Sequence, residues 1–266
     1  MSEQTVATKP VAVATPKTTR FVIILGDKGG IGKSLLCQGI GDYFYAKDKN
    51  NMVVVDADTQ NADVARMFAV NVPCAEINLG NENGWMDLMD LVADHPGKTI
   101  LLNTPGGIGK HFQREMDKFS AFLKKQKTPV VIEVFWAMSL VHDCVVLLED
   151  ALGKYGQHFD KVTVACNLHY SSGDPEGYYL WNESPLRTKL EKAGGKTMYF
   201  PALNLRVVGK LFVPSKVMPF CEAVDAGLGE AIGLTASEKA RLELWVDELA
   251  EKLNKVFADP TPAIKK

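Results

Sequence analysis

Phe21-Val22-Ile23-Ile24-Leu25-Gly26-Asp27-Lys28-Gly29-Gly30-Ile31-Gly32-Lys33-Ser34-Leu35 is the stretch that decides how this chain is read. An apolar run long enough for a buried strand leads into a glycine-rich turn, and a helix-forming segment opens directly after it. Strand, tight turn and helix N-terminus together make a cradle for a phosphate. The backbone amides of Gly29, Gly30, Ile31, Gly32, Lys33, Ser34 and Leu35 converge on the anion, and the helix dipole adds partial positive charge. Lys33 is placed to reach β- and γ-phosphates and the Ser34 hydroxyl to ligate Mg²⁺, so ATP with Mg²⁺ is the expected ligand. The usual pattern G-x-x-x-x-G-K-[ST] asks for Gly at position 27, where this chain has Asp27, and a second lysine, Lys28, stands just before the glycine pair.

Outward from this loop, apolar runs alternate with helical patterns. Strands are expected at Phe21–Leu25, Met52–Val55, Thr99–Leu102, Pro129–Phe135, Lys161–Ala165 and Thr197–Phe200. Several are nearly continuous in Val, Ile and Leu, as in strands buried on both faces of a parallel sheet. Helices are expected at Lys33–Lys47, Asn61–Phe68, Trp85–Ala93, Gln113–Lys125, Leu140–Lys154, Pro185–Lys192 and Ala236–Phe257. The alternation predicts an α/β fold, a doubly wound, mostly parallel sheet with helices on both faces. One domain over 20–258 is expected, with flexible tails at 1–19 and 259–266.

The 266 residues carry a formal net charge of −2, which argues against a protein that mainly coats nucleic acid. Five cysteines lie scattered without a C-x-x-C pair, and five histidines show no paired ligand spacing. Structural zinc and dithiol chemistry lose their signature, and reduced thiols suit a cytoplasmic protein. No run of 18 apolar residues suggests a membrane span. The final helix is amphipathic, with Leu242, Trp245, Leu249 and Leu253 on one face. Its acidic polar face favours docking on the sheet over lying on an anionic membrane.

Two strand ends carry further polar residues. Asp56-Ala57-Asp58-Thr59-Gln60 places two carboxylates at i, i+2, one face of an extended segment. Either could hold Mg²⁺ or position water, and Asp58 could equally cap the next helix. Asn103-Thr104-Pro105-Gly106-Gly107 follows the next strand, with glycines that let backbone approach a phosphate.

The K-G-G-x-G-K-S form resembles the deviant Walker A loop of the ParA/MinD family of dimeric ATPases. The resemblance implies that Lys28 crosses a homodimer interface to the partner's nucleotide. It places Asp58 beside the water that attacks the γ-phosphate, with Asp56 and Ser34 at the metal. Asn103 stands where the family usually has an aspartate on the Mg²⁺ water shell, which implies weaker metal retention and slow hydrolysis. Gly107 becomes the γ-phosphate sensor, Asn167 a reader of the adenine edge, and Pro201 part of the loop closing over adenine. The family also implies an activating protein partner and, in many members, non-specific DNA binding; Lys189, Lys192 and Lys196 are the candidate basic patch. Plasmid partition, conjugal transfer and positioning are the implied roles. Two other classes stay open: a nucleotide-dependent scaffold with little hydrolysis, or a metabolic ATP-dependent ligase of the same fold.

Overall fold

The structure is a computed structural model and describes residues 18–26, 28–213 and 216–258. Of the tails expected at 1–19 and 259–266, residues 1–17 and 259–266 lie outside the described residues. Thr19, expected in the tail, is instead the first residue of a strand. It is buried, and its hydroxyl accepts a 2.8 Å hydrogen bond from the Gly97 amide.

Seven strands form one sheet: β1 Thr19–Leu25, β2 Met52–Asp56, β3 Cys74–Glu76, β4 Thr99–Asn103, β5 Val130–Met138, β6 Lys161–Asn167 and β7 Lys196–Phe200. Their order is β3-β2-β4-β1-β5-β6-β7, and every pairing is parallel. The helices are α1 Lys33–Asp48, α2 Asp63–Phe68, α3 Glu82–Asp94, α4 Gly109–Leu123, α5 Asp143–Tyr155, α6 Tyr179–Asn182, α7 Pro185–Lys192, α8 Leu205–Leu211, α9 Phe220–Ala223, α10 Ala226–Ala231 and α11 Ala236–Phe257. This is the expected doubly wound fold. From β1 the chain winds one way through β2 and β3, then returns through β4 to β5 and outward. Right-handed crossovers therefore put α1 and α2 on one face and α3, α4 and α5 on the other. The contacts agree: α3, α4 and α5 pack in sequence, while α1 packs on α2 and α11.

The strands earn their central places by composition. Phe21 to Ile24 are fully buried, as are Val54 and Val55 of β2 and Ile100 to Leu102 of β4. Aromatic side chains lock the layers together. Phe21 meets Phe119 of α4 at 5.4 Å between ring centroids, and Trp85 of α3 meets Phe112 edge-on at 5.1 Å. On the other face, α11 buries Leu242, Trp245, Leu249 and Leu253. Its apolar face is thus covered, and Trp245 Nε1 donates to the Pro201 carbonyl at 2.9 Å. A capping box at Thr235 and Glu238 starts this helix. Among the described residues, no helix is long and apolar enough to cross a membrane.

Lys196 leaves the expected basic patch: its ammonium donates to the Lys255 and Val256 carbonyls at the C-terminal end of α11. The switch point of the sheet falls at the carboxyl end of β1, between β4 and β5, where such folds bind ligands.

Candidate functional site

Three glycines shape the loop that leaves β1. Gly26 has φ +150, and a Cβ there would lie 2.6 Å from Ile31 Cδ1 and 3.1 Å from the Ala137 carbonyl. Gly30 and Gly32 have φ +71 and +90, the left-handed region where a side chain costs about 1 kcal/mol or more. A Cβ on Gly32 would also meet Asn167 Nδ2 at 2.4 Å. Gly32 is the N-cap of α1, whose first turn has no side-chain cap and no acidic residue. A glycine at the N-cap offers its helix no side-chain oxygen, and a helix N-terminus is where anions bind. Lys33 is buried, and its ammonium donates to the Lys28 carbonyl at 2.8 Å.

Lys28 itself points elsewhere. Its ammonium lies 2.7 Å from Asp143 Oδ2, at the first residue of α5, and both side chains are well exposed. The hydrogen bond raises the lysine pKa and holds the Asp143 carboxyl below its ordinary range. The Lys28 side chain does not line the cavity that its own loop encloses.

The two aspartates after β2 take different roles. Asp56 is fully buried. Its Oδ2 accepts from the Val64 and Ala65 amides at 3.0 and 3.1 Å, in the first turn of α2. Its Oδ1 accepts from the Asp58 amide at 3.2 Å and from Asn103 Nδ2 at 2.9 Å. Burial raises the Asp56 pKa against these four hydrogen bonds. Expected at the metal, Asp56 is instead the cap of α2, and its acceptor capacity is filled by protein donors. Asp58, the other capping candidate, is half-buried and lines the cavity.

That cavity has a volume of about 450 Å³. One end is the loop, with Gly29, Gly30, Gly32, Lys33, Ser34 and Leu35; Asp58, Asn61, Thr104 and Gly106 form a side. Leu203, Leu205 and Val208 supply apolar lining, and Asn167, His169 and Tyr170 complete it. The lining combines the loop and polar side chains with the apolar Leu203, Leu205 and Val208, the mixture a nucleotide requires. Two expectations shift by a residue or more, and a third changes its partners. Gly106, not Gly107, lies against the loop: a Cβ there would be 3.3 Å from the Gly29 amide nitrogen. Gly107 has φ +72 and nothing within 4 Å of an added Cβ. Pro201 does not line the cavity; its carbonyl holds Trp245, and Leu203 and Leu205 provide the wall. Asn167 lines the cavity, but its amide engages protein at both ends, Nδ2 donating to the Ile31 carbonyl at 3.3 Å and Oδ1 accepting from the His169 amide at 3.1 Å.

Tyr170, Asn61 and Val208 are cavity residues that motif reading missed. Asn61 reads only as the start of an expected helix, Tyr170 and Val208 lie in segments with no pattern of their own, and only the β6 turn and α8 bring these two to the cavity.

The residues suit Mg²⁺ bound mainly through phosphate and water. Ser34 offers a hydroxyl at the cavity and Asp58 a carboxylate, and Asn103 Oδ1 is a buried acceptor with no hydrogen-bond partner. Such a sparse, oxygen-only set fits a hydrated Mg²⁺ better than a protein cage. Among the described residues, no cluster of three His, Cys, Asp or Glu side chains could hold a metal ion.

A parallel, doubly wound sheet with a glycine loop capping the helix after β1 defines a P-loop NTPase-like α/β protein, and the cavity fits a nucleotide-binding role. No family model matches the chain. The chain is 27% identical over 238 residues to "Protein MobD" of Acidithiobacillus ferrooxidans, across 88% of this chain and 96% of that one. Among solved structures, chloroplast FtsY from Physcomitrella patens is similar at 13% identity and a TM-score of 0.44. That likeness spans 68% of this chain and 60% of FtsY.

Proposed function

We propose that this protein is a ParA/MinD-like ATPase switch. Two subunits close face to face around two ATP–Mg²⁺, each supplying Lys28 to the other's phosphates, and slow hydrolysis reopens the dimer. Within each subunit the α1 N-terminus and Lys33 hold the phosphates, Ser34 and the Asn103 amide oxygen hold the hydrated metal, and Asp58 orients the attacking water. A Mg²⁺ held by these residues would neutralise developing charge on the phosphates. The observation that carries this reading is the direction of Lys28: a loop lysine turned away from its own cavity onto an exposed carboxylate is available to a neighbour. The switch would serve DNA or plasmid partition, transfer or positioning in the cytoplasm, with an activating protein partner and non-specific DNA as candidate contacts.

The test is the oligomeric state in ADP, in ATP, and in ATP with Lys28→Ala. ATP-dependent dimerisation that Lys28→Ala abolishes is the expected result. A wild type that stays monomeric in ATP removes the switch, and a Lys28→Ala variant that dimerises as wild type removes the trans role of Lys28.

A second reading, a nucleotide-dependent scaffold that scarcely hydrolyses, is favoured by Asn103, which brings no charge to the metal side. Tight nucleotide binding with near-zero turnover, with or without a partner, would select it. A ligase of the same fold would instead turn over a small acceptor without an ATP-driven dimer.

A further inference from the structure

The end of β6 and the turn after it hold the phosphate loop through its carbonyls. Asn167 Nδ2 donates to the Ile31 carbonyl at 3.3 Å, and the Tyr170 hydroxyl donates to the Gly30 carbonyl. Two consecutive carbonyls of the loop are thereby drawn toward β6. A peptide unit carries its N–H opposite its C=O. Tying the carbonyls of Gly30 and Ile31 therefore fixes the orientation of the amides of Ile31 and Gly32.

The turn is itself anchored. The hydroxyl of buried Tyr178 donates its one proton to the Asn167 carbonyl at 2.6 Å, with the Met138 carbonyl also within reach at 3.0 Å. Asn167 Oδ1 is held by the His169 amide, so the side-chain amide cannot rotate toward a base without releasing both partners. Gly32 completes the fit, since any Cβ there would collide with Asn167 Nδ2. Leu203, Leu205 and Val208 line the same cavity and offer apolar area on which a base would lie.

We propose that Asn167 and Tyr170 are positioning residues for the phosphate cradle, and that Asn167 acts on the phosphates through the loop and not on the base. This rests on the nucleotide-binding reading of the same cavity and deepens it. The prediction is that loss of either donor weakens every ligand that carries the polyphosphate, whatever base it has, or none.

The experiment measures binding of Mg²⁺-ATP, Mg²⁺-GTP and the base-free Mg²⁺-tripolyphosphate to wild type, Asn167→Ala, Asn167→Asp and Tyr170→Phe, by calorimetry at fixed salt. Each variant should lose about 3- to 10-fold on all three ligands, the range for one lost intramolecular hydrogen bond. Asn167→Asp keeps the acceptor for the His169 amide but lacks the Nδ2 donor, so it should not restore affinity. Melting temperatures identify the folded range; a purely structural role would lower Tm and leave the affinity of the folded protein unchanged, which overturns the proposal. Loss on ATP alone, with tripolyphosphate unaffected, overturns it in favour of base reading by Asn167. A wild type that binds neither ATP nor tripolyphosphate overturns both this proposal and the nucleotide-binding reading beneath it.

Discussion

Asn103 Nδ2 donates to Asp56 Oδ1 across 2.9 Å, and both side chains are fully buried. The adjacent strand ends of β2 and β4 are in register at these two residues, which sets the pair face to face. An amide here answers a carboxylate with a donor. A second carboxylate would answer it with repulsion.

Asn103→Asp should therefore destabilise the fold by about 3 kcal/mol at pH 8, the scale for an uncompensated buried charge. One proton shared between the two carboxyls relieves the repulsion, so the loss should shrink toward pH 5. Thermal melts at the two pH values measure this. Equal losses at both would show that charge is not the reason for the amide. Any gain in hydrolysis by this variant has to be read per folded molecule.

Asp56 and Asp58 should separate in their effects. Asp56→Ala strips the cap from α2 and leaves buried donors unmet, costing about 3 kcal/mol and speeding hydrogen exchange at the Val64 and Ala65 amides. Asp58→Ala should stay within about 0.5 kcal/mol of wild type and lose turnover instead. Denaturation curves and a phosphate-release assay on both variants check it. A stable, inactive Asp56→Ala would reverse the assignment.

Much of this site is legible in the sequence, for identifiable physical reasons. A strand as apolar as Phe21–Leu25 followed by Gly30 and Gly32 has few other ways to fold. The i, i+2 spacing of Asp56 and Asp58 misleads because β2 ends at Asp56. Beyond that residue the chain is no longer extended, so the two carboxylates part company and one turns to α2. β3 is missed because Cys74-Ala75-Glu76 is three residues of edge strand with no β-branched side chain. The segment 205–231 folds into short helices of at most seven residues, too brief to show a period. Yet α8 supplies Leu205 and Val208 to the cavity wall.

Gly32→Ala and Gly107→Ala form a second contrast. Both positions have positive φ, so both carry the left-handed strain of about 1 kcal/mol. Only Gly32 also has a neighbour, Asn167 Nδ2, inside contact distance. Gly32→Ala should abolish nucleotide binding, whereas Gly107→Ala should bind nearly as wild type with a slightly lower Tm. Fluorescent-nucleotide titration decides between them. Loss of binding in Gly107→Ala would return the phosphate-facing role to Gly107.

Asp143→Ala removes the partner that holds Lys28. An exposed ion pair contributes little to stability, so Tm should not change measurably. Lys28 would then be free of a competing contact when a second subunit approaches, and ATP-dependent dimerisation should set in at lower protein concentration. Sedimentation over a concentration series tests this. Weaker dimerisation in Asp143→Ala would mean that the carboxylate belongs to the assembled interface.

Two buried carboxylates should shape stability against pH in opposite directions. Burial pushes Asp42 up to about 6, even though its Oδ1 accepts from the Cys221 amide at 2.9 Å. A raised carboxyl pKa means that the folded state holds the proton more tightly, so this contribution is full below about pH 4 and lost as pH rises through 6. From the ordinary value of 3.8 the shift is worth roughly 3 kcal/mol. Glu238 goes the other way: the Lys210 ammonium, bonded at 2.6 Å, and the Thr235 amide hold it down to about 2. Its contribution is present above pH 4.5 and lost as pH falls toward 2. Asp42→Asn should therefore flatten the decline in stability between pH 4 and 6, and Glu238→Gln should flatten the decline on acidification below 4.5. Urea midpoints across that range give the slopes, and an unchanged slope in Asp42→Asn would place its proton outside the folding transition.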